Sequence, residues 1–276
     1  MKPFMRISGL ASFFLSLFFC VPSSVSAFEE GPKQKATLAI TLPDIVLGSF
    51  TLPPDIQVTQ DQLRELVGAL QIRQTQSLSL AGHQEINDAV ITALRTFAEL
   101  KELDLRETGI HDAGVFSLSS LRGLQRLDLS NTMVGNDGLR ALKELQSLRQ
   151  LYLRATQVDD AGLAALKDLK RLHELDLNGT DIKGKGLVNL AGLPLETLDL
   201  GETKLSGTSV YPLHSIQSLE ILHLNNTRID NEGLATLRWL PHLRLLNVSC
   251  TDVTDSALEP FRRHPGFESL NVCPDR

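Results

Sequence analysis

The chain is poor in aromatic side chains, with one Trp and two Tyr, Tyr152 and Tyr211, among its 276 residues. Polysaccharide sites usually present aromatic rings as platforms, so this scarcity argues against a carbohydrate ligand. An excess of positive charge is also missing, because the net charge at pH 7 is −6. A basic face is the expected footprint of a nucleic-acid binder, and the acidic balance argues against that partner and against a membrane surface.

Long hydrophobic runs are absent except at the N-terminus. Lys2 and Arg6 precede a short apolar stretch, residues 7–21, and small residues follow at 25–27. This pattern predicts a signal peptide at 1–27, because the stretch is too short for a good membrane span. The mature chain would keep 25 Lys and Arg against 33 Asp and Glu, a net charge of −8. We expect an exported protein, periplasmic or secreted, with no membrane insertion of the mature chain.

Cysteine is scarce, with three in the whole sequence. Cys20 could carry a lipid anchor, but the bulky Phe19 before it disfavours that alternative. Cys250 and Cys273 remain after cleavage, one repeat apart in the pattern described next. A diagonal bridge between neighbouring strands would suit them, and two separate small residues is the other interpretation.

The sequence repeats itself. Residues 127–138, LDLSNTMVGNDG, return in altered form as LDLRETGIHDAG from Leu103, LDLNGTDIKGKG from Leu175 and LHLNNTRIDNEG from Leu222. The period is about 24 residues, with one copy of 25 and one of 23. The copies start at Leu100, Leu124, Leu148, Leu172, Leu195, Leu219, Leu243 and Phe267, with a degenerate copy at Thr75.

Each copy predicts one strand, one turn and one short helix. Its first part alternates apolar and polar residues as a strand does, and its second part has helical spacing. We expect the leucines to point inward and to build one continuous core across stacked copies. Helix N-caps are predicted at Asp112, Asn136, Asp160, Asn231 and Asp255, because their side chains can accept from the free amides of a first turn.

Threonine recurs at one position of seven successive copies, just after the strand. There the chain turns inward, and its backbone polar groups would otherwise be buried unpaired. We expect a ladder of hydroxyls that bonds these groups from rung to rung. Its members are Thr108, Thr132, Thr156, Thr180, Thr203, Thr227 and Thr251.

With these residues the chain resembles the leucine-rich repeat family, whose usual L-x-x-L-x-L-x-x-N carries Asn where Thr stands here. The D-x-G-L helix start is similar to the bacterial, helix-bearing branch, in outline like ribonuclease-inhibitor-type repeats. The resemblance covers about residues 75–276. It implies an α/β solenoid, a horseshoe with parallel strands on the concave face and short helices on the convex face. The motif indicates fold and says almost nothing about function.

The sequence divides into four parts. After the signal peptide comes a non-repeat lead at 28–57, whose prolines exclude a long helix or a central strand. A capping helix is predicted at 58–74, because Thr59 and Gln62 form a capping-box pattern before apolar residues at helical spacing. The repeat domain, 75–276, holds about eight repeats and a partial C-terminal rung.

No pattern in the sequence points to catalysis. The seven histidines occupy unlike repeat positions, and there is no HExxH, no phosphate-binding glycine loop, no GxSxG and no CxxC. We therefore expect no enzyme activity, no cofactor and no metal site.

The variable strand positions are where function should lie. Asp104 beside Asp128, and Asp176 beside Asp199, place like charges on neighbouring strands, which slightly destabilises a sheet. These aspartates are either a well-solvated choice for such repeats or an acidic stripe for a basic partner. The stripe would be formed by Asp128, Asp176, Asp199 and Glu174, with Arg126 and Arg154 between them. A cation bound by these carboxylates is the weaker third interpretation.

The same face turns apolar towards the C-terminal rungs. Ile221 and Leu245 are predicted to lie side by side in the open, with His223 near and Tyr152 two or three rungs away. Alternatively, a bend in the register or the C-terminal tail covers them. The expected function is protein binding through the concave face, with a partner of basic or mixed surface. There are two alternatives: an inhibitor or host-directed effector that blocks an enzyme, and a structural or self-associating envelope protein. The oligomeric state is open.

Overall fold

The computed structural model describes residues 48–53, 57–72, 74–263 and 266–272, in which short strands and short helices alternate. Ten three-residue strands form one parallel sheet in sequence order, which confirms the predicted α/β solenoid. The strands are β1 Ser49–Thr51, β2 Ser77–Ser79, β3 Glu102–Asp104, β4 Arg126–Asp128, β5 Gln150–Tyr152, β6 Glu174–Asp176, β7 Thr197–Asp199, β8 Ile221–His223, β9 Leu245–Asn247 and β10 Ser269–Asn271.

Helices on the convex side connect the strands, and they are of two kinds. The α-helices are α1 Gln60–Ile72, α2 Asp88–Ile91, α3 Asp112–Leu118, α4 Asn136–Leu142, α5 Asn231–Ala235 and α6 Asp255–Arg262. The 3₁₀ helices are Thr92–Thr96, Gly162–Ala165, Lys185–Leu190, Gly207–Ser215 and Thr236–Trp239. In the rungs of β5, β6 and β7 the connection contains a 3₁₀ helix and no α-helix.

The core consists of aligned leucines from every rung. Leu127 in β4 pairs in register with Leu103 and Leu151 of the strands beside it, and all three are fully buried. Side chains of this kind contribute about 1.5–3 kcal/mol each when taken out of water. One rung has no second layer of its own, so its leucines are buried by the neighbouring rungs and by the helices.

Six of the seven ladder threonines are buried and Thr251 is half-buried, but their hydrogen bonds run differently from the prediction. Each hydroxyl donates to the carbonyl three residues earlier in its own rung, for example Thr132 Oγ1 to Leu129 O at 2.6 Å and Thr180 Oγ1 to Leu177 O at 2.5 Å. The expectation of bonds from rung to rung was wrong. The short Thr side chain reaches only the local carbonyl, so it closes the turn after the strand.

Rung-to-rung side-chain bonds come instead from the aspartates and asparagines predicted as N-caps. Asp112, Asn136 and Asn231 occupy the first helical position, one residue later than an N-cap, whereas Asp160 lies one residue before the N-cap Ala161. All four accept from backbone amides of the next rung. Asp112 Oδ1 accepts from Gly135 N at 2.7 Å, and Asn231 Oδ1 accepts from Thr254 N at 2.9 Å. We call Asp88, Asp112, Asn136, Asp160 and Asn231 the linking column. Asp255 also begins its helix, after the N-cap residue Thr254.

The N-terminal end of the sheet begins earlier than the sequence indicated. β1 lies inside the predicted lead, 28–57, and pairs with β2 as an outer strand of the described sheet. Next to it, Thr59 and Gln62 form both bonds of the capping box at the start of α1. The apolar side of α1 is buried against the helical turns that follow β2, so this helix covers the first rung.

Two expectations fall partly or wholly outside the described residues. Cys250 is exposed at a turn, and Cys273 lies beyond the described part of the chain, so the disulfide stays a prediction. The predicted signal peptide, 1–27, is likewise outside it. Among the helices that are described, none has both the length and the apolar character required to cross a bilayer.

Thr75, which begins the degenerate first repeat, provides a test of this packing. Its side chain is fully buried, and Oγ1 finds no hydrogen-bond partner among the described residues. Thr75→Val should therefore raise the free energy of unfolding by about 1 kcal/mol, because it removes an unsatisfied hydroxyl at constant shape. Urea unfolding of the purified chain measures the change.

Thr132→Val is the matched control. The same chemical change here leaves the Leu129 carbonyl without its hydroxyl donor, so it should destabilise the chain by about 1–3 kcal/mol. Equal shifts of the same sign in the two variants would contradict the hydrogen-bond assignment.

Candidate functional site

Two columns of outward side chains cross the concave face. Strand pairing aligns the first residues of β2 to β10 and, separately, their third residues, in the register that the repeat predicts. The first-position column is Ser77, Glu102, Arg126, Gln150, Glu174, Thr197, Ile221, Leu245 and Ser269. The third-position column is Ser79, Asp104, Asp128, Tyr152, Asp176, Asp199, His223, Asn247 and Asn271.

A hydrogen-bonded group occupies the middle of this face, and we call it the central network. Arg126 Nη1 donates to Gln150 Oε1 at 3.1 Å and to Tyr152 Oη at 2.7 Å, and its guanidinium lies 4.4 Å from the centre of the Tyr152 ring. Glu174 accepts from Gln150 Nε2 at 2.6 Å and from the Tyr152 hydroxyl at 2.8 Å. Four side chains from three adjacent strands thus fix one another.

The network changes the role expected for Glu174. Both of its carboxylate oxygens accept hydrogen bonds within the protein, so it is less available to a partner than a solvated carboxylate would be. Burial, and then the adjacent Glu174 carboxylate, raise the pKa of Tyr152 to about 12. The phenol therefore stays a neutral donor at physiological pH. The sequence aligned these residues, but it did not reveal which of them bond.

The aspartates of the third-position column have a structural role that the sequence analysis missed. Each accepts from the backbone N–H two residues later, as Asp176 does from Asn178 at 2.8 Å and Asp199 does from Gly201 at 2.8 Å. Such bonds stabilise the turn that leaves the strand. Asn247 makes the same bond to Ser249 at 3.1 Å, so the turn needs a side-chain carbonyl oxygen rather than a negative charge.

The aspartates differ in how their charge is compensated. Asp104 has the Arg106 guanidinium at 3.1 Å and the Ser79 hydroxyl at 3.1 Å. Asp128 is buried, with 7% of its surface exposed.

Asp176 and Asp199 are direct neighbours on β6 and β7. The nearby cation is Arg154, which lies beyond the end of β5 and is 3.8 Å from Glu202. Burial raises the pKa of Asp176, the Asn178 N–H lowers it, and the charge of Asp199 raises it; the Arg154 guanidinium lowers it again, and the charge of Asp128 raises it. The net effect on Asp176 is a raised pKa, and Asp199 accepts a further hydrogen bond from Asn178 Nδ2 at 3.2 Å.

The apolar pair lies beside the carboxylates. Ile221 and Leu245 are register partners on β8 and β9, as predicted, and His223 separates Asp199 from Asn247 in the other column. Both aliphatic side chains are half-buried rather than fully open. The site therefore places two carboxylates and two aliphatic side chains on four consecutive strands, about 4.8 Å apart.

A shallow open hollow of about 450 Å³ lies along the first-position column. Its lining includes residues one position before the strands, which the sequence analysis did not single out because it followed the strand residues alone. The lining residues are Glu102, Gln125, Arg126, Arg149, Gln150, His173, Glu174, Glu196 and Thr197. Within the described ranges no group of three His, Cys, Asp or Glu residues could hold a metal ion.

Comparison with known proteins agrees with this geometry. Two models described as leucine rich repeat match residues 98–158 and residues 171–191, 215–237 and 240–261. The chain is 24% identical to internalin C2 from Listeria monocytogenes, with 78% of this chain and 84% of that chain covered and a TM-score of 0.61. A TDR receptor is 16% identical, with 81% and 39% covered and a TM-score of 0.59. These likenesses concern the fold. No curated protein matches the sequence.

Tyr152 gives a direct test of the central network. Its phenol should deprotonate near pH 12 rather than near 10, because burial and the Glu174 carboxylate disfavour the anion. The stability that this shift contributes is complete below pH 10 and is lost as the pH rises towards 12. Ultraviolet titration of the chain against Tyr152→Phe isolates this one phenol. A Tyr152 transition at pH 10 would contradict the network.

Asp176→Asn tests whether the carboxylate pair weakens the free protein. The asparagine can still accept from Asn178 N, as Asn247 does from Ser249, while the repulsion from Asp199 disappears. A raised pKa in the folded state means that ionised Asp176 destabilises the fold at pH 7. Chemical unfolding should therefore show a more stable variant at pH 7, with a gain that vanishes below about pH 4.

Asp104→Asn is the control for this substitution. Asp104 has Arg106 and Ser79 as partners, so the loss of its charge should bring no gain in stability. Equal stabilisation of both asparagine variants would contradict the claim that the charge pair of Asp176 and Asp199 destabilises the folded chain.

Proposed function

Because this chain is a leucine-rich repeat protein, we propose that its concave face binds another macromolecule, and specifically a protein. The fold is a general scaffold for protein interaction, and the function of each member resides in the side chains that its strands present. The proposed role is recognition without catalysis and without a cofactor. The chain would act as an exported protein, periplasmic or secreted, through the predicted signal peptide at 1–27.

The observation that carries this proposal is the carboxylate pair Asp176 and Asp199. The turn bond that each makes could be made by asparagine, as Asn247 demonstrates, so their negative charge is not needed for the turn. Charge that destabilises the free protein is typical of residues that serve a binding site. A basic group of a partner placed between the two carboxylates would relieve their repulsion.

The apolar pair defines the second half of the proposed contact. Ile221 and Leu245 begin one strand beyond Asp199, so a partner that reaches both pairs spans about 15 Å across β6 to β9. Half-buried aliphatic side chains lose little rotamer freedom when a partner covers them. A partner with a basic group next to an aliphatic side chain therefore fits this surface.

The central network supports the proposal by its rigidity. Arg126, Gln150, Tyr152 and Glu174 already bond to one another, so this part of the face is ordered before any partner arrives. A preformed surface loses less entropy on binding than a flexible one. Because the contact is partly ionic, the association rate should fall as the salt concentration rises.

The proposal predicts which variants lose binding. The mature chain, 28–276, is immobilised and exposed to proteins from the envelope and surroundings of its source. Ile221→Arg with Leu245→Glu, and separately Asp176→Asn with Asp199→Asn, should each reduce capture of a specific protein by about tenfold or more. Each variant is first shown to unfold cooperatively at an unchanged or higher urea concentration.

Phe116→Arg with Met133→Glu is the control, because both residues are exposed outside the strand columns. This variant should capture the same protein as the unchanged chain. Capture lost in the control and kept in the two concave variants would place the binding surface elsewhere.

A further inference from the structure

Three consecutive rungs in the middle of the chain are built differently on the convex side. The helices Gly162–Ala165, Lys185–Leu190 and Gly207–Ser215 are 3₁₀ helices, whereas α3 and α4 before them and α5 after them are α-helical. A 3₁₀ helix has poorer hydrogen-bond geometry than an α-helix.

The linking column is interrupted in the same rungs. Asp160 is its last member before the gap, and its Oδ1 accepts from Gly184 N at 3.0 Å and from Gly186 N at 2.8 Å. The next two positions of the column are Gly184 and Gly207, which have no side chain that could accept. Ser206 N donates instead to Ser209 Oγ of its own rung, at 3.0 Å.

The column resumes at Asn231, whose Oδ1 accepts from Thr254 N. Two successive junctions between rungs therefore lack this side-chain link. The shortest repeat of the chain, 23 residues from Leu172, lies at the same place.

Gly184 and Gly207 differ in whether another residue can replace them. Gly184 has φ 105°, and an added Cβ would lie 2.6 Å from the Ser209 carbonyl oxygen, so no other residue fits. Gly207 has φ 47°, which asparagine tolerates, and an added Cβ would lie 3.6 Å from Asp230 Oδ2. A linking side chain can thus be restored at Gly207 but not at Gly184.

The concave side of these rungs is intact. β6, β7 and β8 pair in full register, and strand pairing fixes their separation at about 4.8 Å. Backbone bonds at the turns also continue, with Lys204 N on Ile182 O at 2.9 Å and Arg228 N on Leu205 O at 2.9 Å. The reduced restraint is therefore confined to the helices.

We propose that the solenoid contains a hinge at residues 184–216, with β6 to β8 as the pivot. Because the strands keep their spacing, a change in the spacing of the helices alters the curvature of the sheet. Wider helix spacing brings the N-terminal and C-terminal arms of the concave face closer together. That the two arms close on a bound partner is an idea that rests on the proposed function. The hinge itself does not rest on it, because the experiments that test the hinge use no partner.

Distances between spin labels in the full chain measure this motion. Labels carried on non-canonical amino acids, so that the native cysteines stay, are placed at Arg140 and Glu259 across the hinge. Labels at Arg64 and Arg140 report on the N-terminal arm alone. We expect the distance distribution across the hinge to be about twofold wider than the distribution within the arm. Equal widths would overturn the proposal.

Gly207→Asn tests the cause of the motion. An asparagine here can approach Asp230 as Asn136 Nδ2 approaches Asp159 Oδ1, at 2.8 Å. It should narrow the distribution across the hinge and leave that of the arm unchanged. Asn136→Gly, which breaks the column at another junction, should widen the distribution between Arg140 and Glu259. A width that neither variant changes would overturn the assignment to the linking column.

Hydrogen exchange of the unsubstituted chain gives a second readout that needs no variant. Amides of Lys185–Leu190 and Gly207–Ser215 should exchange about fivefold faster than those of α4. The amides of β6, β7 and β8 should stay as protected as those of β4. Equal exchange of the strands and the 3₁₀ helices would mean local unfolding of the whole rungs, which contradicts a hinge.

Discussion

The burial of leucine between rungs is the interaction on which this structure depends. A single repeat has one apolar side and no second layer to cover it, so each rung is stable only against its neighbours. Leu103, Leu127 and Leu151 illustrate the result, since they are register partners and are fully buried. This requirement fixes the register of the strands, and the register fixes which side chains face outward together.

The polar residues of the repeat form different hydrogen bonds around this leucine core. Threonine closes the turn within a rung, and the linking column joins one rung to the next. Aspartate in the third-position column bonds the turn as well, but it brings a charge that asparagine would not. At Asp104 that charge is paired with Arg106, whereas at Asp176 burial and the Asp199 charge outweigh the influence of Arg154 and raise the pKa. A basic group of a partner placed beside Asp176 would offset the cost of that charge.

The sequence was sufficient for the fold, the register and both outward columns, because a period of 24 residues leaves one way to align the strands. Hydrogen-bond partners were harder to predict. Whether Thr132 bonds within its rung, and whether Asp112 reaches the next one, depends on side-chain length and on a shift of one residue in the helix start. The pairing of Arg126 with Tyr152 depends on side-chain conformations that no repeat pattern encodes. The change from α to 3₁₀ helix near Gly184 and Gly207 also depends on backbone geometry rather than on hydrophobic spacing.

Site-specific photo-crosslinking tests the central claim, that partners are bound by the concave face, most directly. A photoreactive amino acid is placed at Thr197, between Glu174 and Ile221 in the first-position column, and in a second protein at Arg140 on the exposed side of α4. Both proteins are irradiated with extracts of their source, and the products are compared. The account predicts a specific crosslinked protein from position 197 and none from position 140. A product from position 140 alone would contradict it.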